Sequence, residues 1–374
     1  MRIVLVIDQF DDENNGTTIS AKRFANVLEE HGNQVTIVST GKPVSNKYVV
    51  KDLYLPIVTE VARSQGMKFA WPDKAILKKA MLEADIVHFL MPFPLSIAGL
   101  KIAKDLKIPH TAAFHVQPEN ITYTIKLGTN QFINRKIYSA YRNIFYNQFT
   151  HIHCPSNFIA NQLKENGYTA KLHVISNGID PAFAYRKIEK SSFFQDKFVI
   201  TMVGRFSNEK RQDVLIHAIN QSKYRNKIQL VLAGKGPKKH ALTRLGHILP
   251  HAPILNFYTK EDLLDILSMS DLYVHAADAE IEAISCMEAF ATGLVPIIAN
   301  SQKSATPQFA IDNRSLFEAG NSSDLAQKID YWIEHSEERK KMEIEYSNLG
   351  KKYNISQCVY QIEEMFREAM KEYE

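Results

Sequence analysis

The feature that most constrains this chain is an alternation that runs almost its whole length. Short continuous apolar runs are separated by segments in which apolar residues recur with helical spacing. The early runs are Arg2–Ile7, Gln34–Ser39, Asp85–Leu90, His110–Phe114 and His151–Cys154, and between them lie Thr17–His31, Lys74–Glu83, Leu95–Leu106 and Ile133–Phe149. A strand covered by helices on both faces has no polar side to show, so it reads as an unbroken apolar run. The pattern therefore predicts parallel α/β sheets. It pauses at Ser176–Lys190, where turn residues and charges break the periodicity. It restarts with Phe198–Val203, Ile228–Ala233, Asp271–His275 and Val295–Ala299 as strands. Arg211–Asn220, Lys238–Leu245, Lys260–Met269 and Ala283–Thr292 are the interleaved helices.

At 374 residues the chain exceeds what one ordinary core organises. We expect two doubly wound, Rossmann-like domains, residues 1–180 and 181–355, with the amphipathic helix 356–374 packing back on the first. Val359, Ile362, Met365, Phe366 and Met370 share one face of that helix. Doubly wound sheets bind ligands at the carboxyl ends of their strands, so a crevice shared by the two domains is the expected site.

Composition narrows the classes of function. A hydrophobic content of 45% and a charged content of 23% are those of a globular protein, and a net charge of +4 is too mild to imply a nucleic-acid partner. Cys154, Cys286 and Cys358 lie far apart without metal-ligand spacing, which reads as packing residues in a reducing compartment. The opening MRIVLVIDQF reads as a first strand rather than a signal peptide. No apolar run approaches the roughly 20 residues that span a bilayer. A cytoplasmic protein is the expectation.

Three places carry chemistry. The first strand-to-helix turn, DQFDDENNG, lacks the GxGxxG of a dinucleotide enzyme and holds Gly16 alone. It is either a plain helix start or a helix N-terminus offering N–H groups to an anion. In VGRFSNEKRQDVLIHA, Arg205 and Lys210 share one loop ahead of a helix. They are either solvated surface cations or a clamp for an anionic leaving group, the guanidinium as a fork and the ammonium as a point charge. In HAADAEIEAISCMEAFATG, Glu280 and Glu288 follow a strand, with Glu288 on a helix. A carboxylate there can accept both ribose hydroxyls, and Glu280 on the preceding loop can reach sugar hydroxyls.

Together, Val203–Lys210, the loop Ala233–Pro237, the Glu280–Glu288 pair, Ala291–Ala299 and Asn177-Gly178-Ile179-Asp180 resemble retaining glycosyltransferase family 4, of the GT-B fold. Asn15–Ala21 and Phe114–Thr122 are most similar to bacterial diacylglycerol glucosyltransferases. The resemblance implies that Gly16, Arg205 and Lys210 hold the donor diphosphate, Glu288 the ribose and Glu280 the transferring sugar. It also implies that His115 is the active-site histidine near that sugar, although a histidine in such a run taken alone reads as a core residue. One departure stands out: where the family usually has Gly-Phe-Gly after the first glutamate, this chain has Ile281-Glu282-Ala283. That makes Glu282 a rival to Glu280 and leaves the donor sugar open.

The implied reaction is retaining hexosyl transfer, with UDP-glucose as the expected donor. Arg205, Lys210 and the helix behind Gly16 would neutralise the leaving diphosphate in place of a metal. The acceptor is read from the first domain, where no Asp or Glu occurs between Asn120 and Lys164. Lys126, Arg135, Lys136, Arg142 and Lys164 are interleaved there with Tyr123, Phe132, Tyr138, Tyr141, Phe145, Tyr146 and Phe149. That is either an ordinary helix packing its aromatics inward, or a surface for anionic membrane with some of Tyr138, Tyr141, Phe145 and Tyr146 supplying rings at the acyl boundary. The second reading gives a peripheral enzyme acting on diacylglycerol or a related glycolipid. A soluble or polymeric cell-envelope acceptor and a non-catalytic nucleotide-sugar-binding subunit are the alternatives.

Overall fold

Among the described residues, seven strands form one parallel sheet in the order 47–49, 34–40, 2–9, 86–89, 110–113, 151–154 and 171–174. A second parallel sheet has the order 254–256, 228–233, 198–203, 272–275, 296–300 and 316–318. The computed structural model describes residues 1–11, 16–56, 59–60, 67–124, 127 and 130–373. It divides into two compact units: Met1–Gly178 with Ile355–Glu374, and Ile179–Asn354. Each is a Rossmann-like sheet with helices between its strands.

The central strands form where the sequence has no polar face. Ile3 to Ile7 are all buried, and Ile3, Val4 and Leu5 pair in register with Val35, Thr36 and Ile37 on one side and Ile86, Val87 and His88 on the other. The outer strands Lys47–Val49, Lys171–Val174, Ile254–Asn256 and Leu316–Glu318 were not legible as apolar runs. They are short and include partly exposed or exposed positions, as edge strands do. Helix ends follow local chemistry. Helix Gly16–Glu30 stops at Gly32, whose φ of +83° only glycine takes without strain, while Asn33 N–H reaches back to the Leu28 carbonyl. Asp73, Ser156, Thr259 and Asn321 cap the helices that follow them. The segment Ile133–Phe149, expected as one helix, is Gln131–Ile144 followed by a single 3-10 turn at Tyr146–Gln148.

The C-terminal helix Ile355–Tyr373 completes the core of the first unit. Its Val359, Ile362, Met365 and Phe366 lie in one buried cluster with Ile3, Leu5, Phe24 and Leu28. Gly178 is required where this helix begins, since φ is +68° and a Cβ would lie 2.7 Å from the Ile355 backbone. Among the described residues, no helix is long and apolar enough to cross a membrane.

Candidate functional site

The second unit builds its site on two loops locked backbone to backbone. Gly204 N–H donates to the Ala233 carbonyl at 2.9 Å, Phe206 N–H to Lys235 at 3.1 Å and Lys238 N–H to Phe206 at 3.0 Å. This approach is possible only because Gly234 and Gly236 lack side chains: a Cβ would lie 2.0 Å from the Gly204 oxygen in one case and 2.6 Å from the Phe206 oxygen in the other. Gln212 Nε2 holds the Arg205 carbonyl at 2.7 Å, and Asp278 N–H holds the Glu209 carbonyl at 2.8 Å. Arg211, with φ at +54°, turns its guanidinium onto Asp213 and Asp278. The stretch Gly204–Arg211 is thus fixed at the carboxyl end of a central strand.

Within this frame, Lys210 and Glu280, 70 positions apart in sequence, form an ion pair whose side chains are only 17% and 15% exposed. Glu280 is held by its backbone: Ala279–Glu280 pairs with Lys303–Ser304, and its carbonyl accepts from Ala305 N–H at 2.9 Å. Burial alone would raise the Glu280 carboxyl. The Lys210 ammonium overrides that cost with help from His275, whose Nε2 is 3.4 Å away, and brings the carboxyl down to about 2. Burial works against the Lys210 ammonium too, yet Glu280 raises its pKa. Arg205 differs. Its guanidinium has no hydrogen bond or ion pair among the described residues, and burial lowers its pKa against the pull of Glu209. The cluster therefore holds one internally balanced pair and one cation not engaged in direct contact.

Helix Ile284–Ala291 follows, carrying Glu288, which is buried, as is Glu282 just ahead of the helix. Ser285 in its first turn lies 3.3 Å from both the Val203 carbonyl and the Tyr273 hydroxyl, tying the helix N-terminus to the Arg205 strand. Ala283 stands at the helix start with φ +70° and ψ +65°, a left-handed conformation that glycine adopts freely. This is one of the positions where the sequence departs from the glycine pattern. The backbone keeps the glycine-like shape despite the methyl group.

In the first unit, Gly16 begins the helix Gly16–Glu30 and is exposed, with nothing within 4 Å of where a Cβ would stand. His115 is buried, its Nε2 lacks a hydrogen-bond partner among the described residues, and its ring meets His153 edge-on at 5.4 Å. Burial, reinforced by His153, pushes it down to about 3, so it is a neutral imidazole at pH 7. Sequence reasoning missed Asp8. This carboxyl is fully buried at the end of the first strand and accepts from Ala70 N–H at 2.9 Å. Burial pushes its pKa up to about 7. The available signal was an acid directly following a continuous apolar run.

The acid-free stretch sorts differently from expectation. Tyr138, Phe145 and Tyr146 are buried, and Tyr141 is partly buried, so none of the first three is free to meet lipid. Tyr138 donates to Glu119, and Tyr146 donates to the Ala113 carbonyl at 2.9 Å. Arg142 is spent on the Asn166 carbonyl at 2.7 Å. The outward face of helix Gln131–Ile144 instead carries Phe132 and Ile144, 66% and 57% exposed, with Arg135 and Lys136. Lys136 Nζ lies 4.7 Å from the Phe132 ring. Lys126 lies outside the described residues.

Comparison with known proteins agrees with this architecture. Residues 14–183 match the model for "Glycosyltransferase Family 4", and residues 185–347 match "Glycosyl transferases group 1". The alpha-monoglucosyldiacylglycerol synthase of Streptococcus pneumoniae is 25% identical over 321 residues, covering 80% of this chain and 71% of that protein. A GDP-mannose-dependent alpha-mannosyltransferase of Corynebacterium glutamicum is 24% identical over 311 residues, covering 80% and 72%. Among solved structures, Anabaena HepE in complex with UDP-glucose superposes with a TM-score of 0.76 at 16% identity, covering 98% of this chain and all of that one.

Two predictions test the geometry. Ala283→Gly relieves a left-handed strain of roughly 1–2 kcal/mol while giving up a buried methyl worth about 0.8, so urea unfolding should show stability held or slightly raised. Ala283→Val, β-branched at the same φ, should lose at least about 2 kcal/mol. The reverse ranking would contradict the left-handed turn. Because the Glu280 carboxyl lies below its ordinary 4.5, its stabilisation is present above that value and is lost as pH falls toward 2. The stability gap between wild type and Glu280→Gln should therefore narrow as unfolding is measured from neutral pH down through that window. A constant gap would show that the pair is not formed.

Proposed function

Because the chain belongs to the family 4 glycosyltransferases of the GT-B fold, we propose that it moves glucose from UDP-glucose to a membrane lipid, diacylglycerol or a glycolipid, retaining the anomeric configuration. The observation that carries this reading is the Lys210–Glu280 pair beside Arg205 at the carboxyl end of a parallel sheet. Negative charge builds on the departing diphosphate as the C1–O bond breaks, and preorganised positive charge is the largest help a protein can give. Arg205 supplies an uncommitted fork. Lys210 has three donors and spends at least one on Glu280, leaving others for phosphate oxygens.

Glu280, held ionised, accepts from hydroxyls of the transferring sugar, and Glu288 accepts from the ribose. His115, neutral, can hydrogen-bond a hydroxyl of the transferring sugar and puts no positive charge beside the cationic character developing at C1. The acceptor hydroxyl attacks C1 on the face from which the diphosphate leaves, and its proton passes to a phosphate oxygen. No side-chain nucleophile is assigned, and the cations take the role a divalent metal would have in leaving-group chemistry. The lipid acceptor is supported by the names of two relatives, both alpha-monoglucosyldiacylglycerol synthases, and by the outward face bearing Phe132, Ile144, Arg135 and Lys136. The mannosyltransferase names among the relatives make GDP-mannose the donor to test beside UDP-glucose.

Donor chemistry is tested by nucleotide release with lipid extract, in chelator, from each donor. Arg205→Ala and Lys210→Ala should each lose at least about tenfold in turnover, since truncating a charge partner costs on the order of 2–5 kcal/mol. Glu288→Ala should weaken free UDP in calorimetry by roughly 1.5–3 kcal/mol, while Glu280→Ala spares UDP affinity and damages turnover. Near wild-type turnover in both cation variants would remove the clamp.

Membrane docking is tested by flotation with neutral and anionic vesicles. Arg135→Glu with Lys136→Glu should abolish binding to anionic vesicles, at about 1 kcal/mol per cation plus the reversed charge, and Phe132→Ser with Ile144→Ser should weaken it. Wild type should detach in high salt. Equal flotation of all variants, or none by wild type, would favour a soluble or polymeric acceptor.

A further inference from the structure

We propose that the first unit carries a divalent-metal site, of the kind zinc occupies, formed by His151 Nδ1, His173 Nε2 and a Glu368 carboxylate oxygen, which staples the C-terminal helix to the edge of the sheet. The three ligand atoms all lie within 4.8 Å of one another. The two imidazole nitrogens stand 2.9 Å apart, on neighbouring strands His151–Cys154 and Lys171–Val174. Two His and one carboxylate form a donor set suited to zinc, with water completing a tetrahedron. Zinc–nitrogen bonds of about 2.0–2.1 Å ask the rings to part by only a few tenths of an ångström.

The surroundings fit a ligand set rather than a chance meeting of polar groups. His151 Nε2 lies 2.9 Å from the Glu372 carboxylate, one helical turn beyond Glu368 on the same helix. A carboxylate on the far nitrogen fixes the imidazole tautomer so that Nδ1 presents its lone pair to the metal. His151 is buried, whereas His173 and Glu368 are half-buried, which leaves an entry path. Lys171 is now ion-paired with Glu368 but is 55% exposed, and it can swing into solvent when a dication takes its place. Metal and lysine neutralise the same carboxylate, so the ammonium serves as the monovalent stand-in.

The site uses no residue of the proposed transfer chemistry, which separates its test from that of the activity. The probe is zinc chloride titrated into the full-length, chelator-stripped protein, followed by calorimetry and by thermal unfolding. Cobalt(II) absorption serves as a check of four-coordination. We expect saturable binding of one zinc per chain at micromolar metal, a rise in the unfolding midpoint, and visible cobalt bands. His173→Ala and Glu368→Gln should abolish all three, and Glu372→Gln should weaken zinc affinity roughly 10–100-fold. Both His173 and Glu368 are half-buried, and circular dichroism of the variants confirms folding before titration. Lys171→Ala, which removes the competitor, should bind zinc more tightly. The proposal is overturned by no saturable binding in wild type at micromolar zinc, or by binding that His173→Ala and Glu368→Gln leave unchanged, which would place the metal on other histidines of the chain.

Discussion

The buried pairing of Lys210 with Glu280 organises the second unit's site. Removing two charges from water costs several kcal/mol each, and attraction repays that only when geometry and further hydrogen bonds are good. Here the surroundings are arranged to meet that condition. Glu280 is pinned by a two-residue strand pair, Lys210 by a loop zipped to its neighbour through Gly234 and Gly236, and His275 Nε2 lies 3.4 Å from the carboxylate. The result is a carboxylate that stays ionised and an ammonium that stays charged, both in place before any ligand arrives. Such preorganisation matters most for a reaction whose main difficulty is charge building on a leaving group.

The same cluster shows how a family pattern survives a change of residue. Glycine would satisfy the left-handed turn ahead of helix Ile284–Ala291 without cost, yet Ala283 holds that turn at φ +70°. The helix N-terminus is secured independently by Ser285, Tyr273 and the Val203 carbonyl, so the surrounding contacts over-determine the backbone. Glu282, which sequence comparison made a rival for the sugar, is buried beside this turn. Glu280 is the acid that meets Lys210.

The first unit is unusual for its buried histidines. His88, His115 and His153 are all buried, with ring contacts linking His153 to each of the other two, and burial lowers the pKa of all three. Two of them hydrogen-bond: His88 bonds Thr111 at 2.8 Å and His153 bonds the Ile175 carbonyl at 2.7 Å. Asp8 runs the other way, a carboxyl that burial carries toward neutrality. Desolvation thus sets the charge state of this unit's interior, while ion pairing sets that of the second unit's cluster.

What the sequence determined by itself was whatever depends on neighbours along the chain. Both-face burial turns central strands into apolar runs, so Arg2–Gln9, Ile86–Phe89, Phe198–Val203 and Ile228–Ala233 could be read directly, as could the apolar face of the final helix. Resemblance to the family 4 pattern marked Arg205, Lys210, Glu280 and Glu288. Tertiary structure decided which of these touch. Lys210 and Glu280 meet across 70 positions, and no local rule says that Arg205 would have no direct partner among the described residues. It also decided which way side chains face. Tyr138, Phe145 and Tyr146 turn inward while Phe132 and Ile144 turn out, and composition alone gave no way to tell the inward side chains from the outward ones. Composition counts residues, but exposure depends on helix phase against a particular neighbour, and that neighbour exists only once the chain has folded.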